Sequence, residues 1–124
     1  MFNSKEVRFD GDHFFKNKAL GSAAITSEPL ELGGTLGGLR VRGYVEGSLA
    51  CSSGNTVKVT LETADAIDGA YTVLAENTVT ATGNTITGDL FSFVPDNGAA
   101  YMRVKVTNSA TVTGNITVAP ELIP

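Results

Sequence analysis

The stretch that decides the fold is Thr56-Val57-Lys58-Val59-Thr60-Leu61-Glu62-Thr63, in which Val57, Val59 and Leu61 alternate with Lys58, Thr60 and Glu62. Successive side chains of a strand point to opposite faces, so this segment has one oily face and one wet face. A helix would scatter the same apolar residues around its circumference. Two other segments share the design. Leu39, Val41, Gly43 and Val45 alternate with Arg40, Arg42, Tyr44 and Glu46, and Met102, Val104 and Val106 alternate with Tyr101, Arg103, Lys105 and Thr107. A half-wet strand cannot bury its oily face alone, so these strands line a shared core.

Working outward, turn signals recur at short intervals. Ser52-Ser53-Gly54-Asn55, Asp65-Ala66-Ile67-Asp68-Gly69, Gly83-Asn84, Pro95-Asp96-Asn97-Gly98 and Asn108-Ser109 each separate extended segments. Between them, short strands are predicted at 22–26, 30–32, 71–75, 78–81 and 85–93. In the last of these Phe91 and Phe93 face the core, and a final strand carries Val112, Ile116 and Val118 on one face. No amphipathic helix is evident. Many short strands so spaced predict an all-β, antiparallel, jelly-roll-like β-sandwich. The abundance of Thr and Val suits half-buried pleated surfaces.

Residues 1–20 differ. Phe2, Phe9, Phe14 and Phe15 are interspersed with Lys5, Glu6, Arg8, Asp10, Asp12, His13, Lys16 and Lys18, and no period organises them. The expected division is an N-terminal arm over 1–20 and a sandwich domain over 21–124. Such an arm packs its aromatic anchors against its own domain or against a neighbour, and the bland alternative is an edge strand and loop closing one end of the barrel.

Composition bounds the function. The chain has 124 residues, 42% hydrophobic and 18% charged, which is enough for one domain with a single core. No apolar run approaches the roughly 18–20 residues that a bilayer-spanning helix needs, and no membrane partner is expected. The amino terminus is charged and lacks a signal-like apolar core, and Cys51 is the only cysteine; both predict folding in a reducing cytoplasm. A net charge of −4 disfavours nucleic acid as a partner.

Chemistry has little to start from. His13 is the only histidine, and no nucleophile elbow surrounds Cys51 or Ser53, so no catalytic residues are assigned. One His and one Cys are too few for a zinc site, and Asp65 with Asp68 lacks the ligand ladder of a calcium loop. Gly33–Gly38 lacks the Gly-Lys-Ser/Thr ending of a phosphate loop. No cofactor is expected. Asn115-Ile116-Thr117 matches a glycosylation acceptor, read as coincidence in a chain without an export signal. One charge pattern stands out: Arg40, Arg42, Lys58, Arg103 and Lys105 all lie on the wet registers of the best strands. If those strands share a sheet, its outer face is a cationic stripe fit to dock an acidic protein surface. The bland reading is cross-strand pairing with Glu31, Glu46 or Glu62.

With the strands placed, the chain resembles the jelly-roll capsid cement (decoration) proteins of tailed bacteriophages. The matching pieces are Phe9-Asp10, Leu30-Glu31-Leu32-Gly33, the run from Thr56 to Asp65, Tyr101-Met102-Arg103-Val104 and Gly114-Asn115-Ile116-Thr117-Val118-Ala119. The resemblance implies a noncatalytic homotrimer on the outside of an icosahedral head, bridging subunits of the major capsid protein. It also implies assembly in the bacterial cytoplasm and residence on the virion exterior. On that reading Phe2, Phe9, His13, Phe14, Phe15, Arg40, Arg42, Lys58, Arg103 and Lys105 are candidate capsid or subunit contacts. The alternative is a carbohydrate- or receptor-binding β-sandwich module of a phage tail, which calls for aromatic platforms or calcium ligands on the loops.

Overall fold

The computed structural model describes residues 13–31, 39–94 and 101–122. Nine strands run in order: β1 (Phe15–Leu20), β2 (Ile25–Thr26), β3 (Leu30–Glu31), β4 (Leu39–Ala50), β5 (Thr56–Ala64), β6 (Thr72–Thr80), β7 (Thr85–Phe93), β8 (Tyr101–Asn108) and β9 (Thr113–Leu122). Among the described residues there is no helix. One sheet has the order β1-β9-β4-β7, the other β2-β8-β5-β6 with β3 also on β8, and every pairing is antiparallel. The molecule is thus a two-sheet β-sandwich.

The alternation read from the sequence places the core. Val57, Val59 and Leu61 of β5 are fully buried, as are Met102 and Val104 of β8. From the facing sheet come Val41, Leu49, Leu90, Ile116 and Val118, also buried, so the two inner faces meet in one apolar layer. Cys51 lies at the end of β4 as a buried free thiol.

Two turns tie one end of the sandwich together. Gly83 and Asn84 both have positive φ, +61° and +60°, the geometry of a type I′ hairpin turn that glycine and asparagine accept at low cost. The backbone N–H of Ser53 donates to Asn84 Oδ1 at 3.0 Å, and that of Asn84 donates to Ser53 Oγ at 2.9 Å. The hairpin therefore carries the chain from the edge of one sheet to the edge of the other while anchored to the β4–β5 turn. Further along, the Asn77 side-chain amide donates to the carbonyl of Leu90 at 2.7 Å, bridging β6 to β7.

Three expectations change. The segments 71–75 and 78–81 are one strand, β6, because Asn77 finds a partner in Leu90 and need not interrupt it. The expected boundary after residue 20 is also displaced. β1 is an integral strand hydrogen-bonded to β9, and Phe14 and Phe15, each 6% exposed, belong to the core. They pack against their own domain, so an external contact through those two rings would require unpacking it. Residues 1–12, with Phe2 and Phe9, lie outside the described residues. So do Gly33–Gly38 and Pro95–Gly98. Finally, the extended piece at 22–26 shrinks to Ile25–Thr26, and Ser27 carries the pairing on toward β3: its N–H donates to Val104 O and its Oγ accepts from Val104 N–H.

Candidate functional site

The single cationic stripe does not form. β4 belongs to one sheet, while β5 and β8 belong to the other, so Arg40 and Arg42 lie on the opposite outer face from Lys58, Arg103 and Lys105. Four of the five have carboxylate partners. Arg40 faces Glu121 at 3.6 Å, Arg42 faces Asp89 at 2.9 Å, Lys58 faces Glu76 at 3.3 Å and Arg103 faces Glu62 at 2.7 Å. The Asp89 bond pushes the Arg42 pKa further up from its already high value. The bland reading of these residues is therefore the better description, although Glu46 and Glu31 bond elsewhere. Glu46 accepts from the Thr117 hydroxyl, and Glu31 from Tyr101. Lys105 is exposed on β8. His13 is half-buried at the entry to β1.

What gathers on the outer face of the five-stranded sheet is an aromatic and charged cluster that charge counting missed. Register places Arg103 of β8 directly opposite Glu62 of β5, and Tyr101 of β8 opposite Glu31 of β3. Arg103 Nε donates to Glu62 Oε1, and its guanidinium stacks over the Tyr71 ring, 4.0 Å from the centroid. Tyr71 comes from the turn before β6, where its hydroxyl donates to the Ile67 carbonyl at 2.9 Å. Tyr101 donates its hydroxyl to Glu31 Oε2 at 3.0 Å, and this bond to a carboxylate holds the phenol pKa above its usual value. The charges of Tyr71 and Asp68 add to that shift. The result is two half-exposed tyrosines around an arginine locked by a carboxylate 14% exposed. The sequence signal was available: Tyr101, Arg103 and Glu62 occupy wet registers of two strands, and Tyr71 follows a Gly turn.

Such a group offers rigid ring faces for apolar C–H surface and planar, fixed hydrogen-bonding groups for a polar rim. Nothing in it resembles a nucleophile with its base. Cys51 is 3% exposed, out of reach of an external substrate, and Ser53 is engaged by Asn84. Among the described residues, no three His, Cys, Asp or Glu side chains gather to hold a metal. Asn115 of the glycosylation-like triplet bonds Asn17 and sits within β9, and Thr117 is buried. A separate open cleft of about 400 Å³ lies between β1 and β2, with Phe14, Phe15 and Ile25 along it and Lys16, Lys18 and Glu28 among its lining residues.

No family model matches the chain, and no curated protein matches it. Solved structures do. A structure described as CBM4 superimposes with a TM-score of 0.51 at 16% identity, covering 79% of this chain and 61% of its own. A carbohydrate-binding module specific for non-crystalline cellulose, CBM28, gives a TM-score of 0.52 at 9% identity, covering 86% of this chain and 73% of its own. This chain thus spans a little over three fifths of the first of these. At such identities the likeness is one of fold, and it agrees with the β-sandwich described above.

Proposed function

We propose that this protein is a noncatalytic binding module that works through its outer surface, and that the tyrosine–arginine cluster of the five-stranded sheet is a site for a carbohydrate. The observation that carries the reading is the stack of Arg103 on Tyr71 beside Tyr101, fixed by Glu62 and Glu31. A sugar ring presents C–H faces and a rim of hydroxyls. Tyrosine rings pack against the former, and a guanidinium and carboxylates held in place bond the latter without ordering long side chains on binding. The sandwich fold supports the reading only as a compatible scaffold. The test is affinity electrophoresis in a panel of soluble neutral and acidic polysaccharides. One of them should retard the protein, and Tyr71→Ala and Tyr101→Ala should each weaken that retention about tenfold or more. Retention that both variants keep intact would falsify the site.

A second reading, capsid decoration, rests on the sequence resemblance. Of the pieces that carry it, Phe9-Asp10 and Leu32-Gly33 lie outside the described residues, and the rest map onto β3, β5, β8 and β9, hence onto both sheets. Two features once read as capsid contacts, the adjacent Phe pair and the basic residues, are largely taken up inside the domain. Cosedimentation with phage heads, in a protein that no polysaccharide retards, would favour decoration over sugar binding.

A further inference from the structure

We infer that β6 is an association edge, along which a second copy of this chain adds in antiparallel register to make one sheet across two protomers. The inference is independent of the sugar reading. Among the described residues β6 pairs with β5 alone, so a nine-residue strand presents one free backbone edge. Free edges attract further strands, and folded proteins guard them with lysine, proline, bulges or shortness. The other outer strands of the sandwich carry such guards. β1 has Lys16, Lys18 and a bulge at Asn17, where φ is +49°. β2 and β3 have two residues each. β7 carries Asp89 beside an irregularity in its pairing, and its Leu90 carbonyl is capped by Asn77.

β6 has fewer of these defences: one irregularity and one acid, Glu76, which Lys58 holds as Arg42 holds Asp89. Thr72-Val73-Leu74-Ala75-Glu76-Asn77-Thr78-Val79-Thr80 has no Lys, Arg or Pro, and its only charge, Glu76, is already held by Lys58. Its one irregularity lies toward the start, between the pairs Leu61–Ala75 and Glu62–Val73, which leaves Ala75–Thr80 regular. Just ahead of that run come the exposed apolar residues Val73 (56%) and Leu74 (37%). A second copy fits because the edge is complementary to itself. A two-fold axis at Asn77 sets Glu76 against the partner's Thr78 and Ala75 against the partner's Val79, both within the regular run. No like charges then face each other, and each contact occurs twice, as an isologous interface requires.

Sedimentation equilibrium of the full chain tests this, with Thr78→Glu and Thr78→Lys as paired variants. The wild type should form a concentration-dependent dimer. Thr78→Glu sets a carboxylate against the partner's Glu76 at two symmetric positions and should weaken the dimer about tenfold. Thr78→Lys sets opposite charges there and should leave it at least as tight. Both variants should keep the far-ultraviolet circular dichroism of the parent, since position 78 faces solvent beside Lys58. A wild type that stays monomeric, a trimer, or a Thr78→Glu dimer as tight as the parent overturns the inference.

Discussion

Replacing Gly114 by alanine tests how closely β9 approaches β4. Gly114 has φ +135°, a region that side-chain-bearing residues rarely enter, and holding alanine there costs about 1–3 kcal/mol. The added methyl would also lie 2.8 Å from the carbonyl oxygen of Ser48 and 2.8 Å from Leu49 Cδ2. Neither neighbour yields easily. The first is backbone of β4, which is paired on both sides, and the second belongs to a side chain with no exposure. Overpacking of this kind adds about 1–3 kcal/mol, so the total is roughly 2–6 kcal/mol. Gly83→Ala is the control. Its φ is +61° but nothing lies within 4 Å of the new methyl, so only the backbone cost of about 1–2 kcal/mol applies. Urea unfolding followed by circular dichroism, with the slope unchanged between variants, gives the difference directly. If Gly114→Ala loses no more stability than Gly83→Ala, the close approach of the two strands is wrong.

Other outcomes follow from the same structure. Leu61→Ala removes a fully buried side chain between the sheets and should cost about 2–5 kcal/mol in the same unfolding assay, a loss of less than 1 kcal/mol contradicting the packing. Tyr101 should ionise above the usual phenol range, because Glu31 accepts its proton in a hydrogen bond and repels the phenolate. A raised pKa means that whatever this bond adds to folding is complete below the unfolded value and disappears as pH climbs through the folded one. Ultraviolet titration should show that step moving down in Glu31→Gln, and an unaltered curve would show the bond to be absent in solution.

The sequence made the faces of strands legible but not their partners. Alternation at 56–63 marks which side chains are buried, and Val57, Val59 and Leu61 are. It is silent on whether the Ser52–Asn55 turn returns the chain to the same sheet or carries it across. The turn crosses, which is why the arginines of β4 part from the basic residues of β5 and β8. Two elements were obscured by residues whose partners lie far along the chain. In β6 the polar Asn77 looks like a break until Leu90 supplies an acceptor. In β1 the bulge at Asn17 erases any period, and the backbone N–H at that bend donates to Thr117 Oγ1, a hundred positions away. The tyrosine cluster was obscured for a similar reason, since Tyr71, Glu62 and Arg103 come from separate elements and meet only through register.

The pairing of β1 with β9 also constrains how the molecule is made. A ribosome releases Phe14 and Phe15 about a hundred residues before Ile116 and Val118, yet Phe15 faces Val118 across the ladder. Until β9 emerges the two rings have no strand to lie against, and β4 lacks the neighbour that separates it from β1. The sheet closes only when β9 emerges and slides between them. A nascent chain halted before residue 113 would therefore hold a half-built sheet with its oiliest early segment open to water and to whatever chaperone finds it.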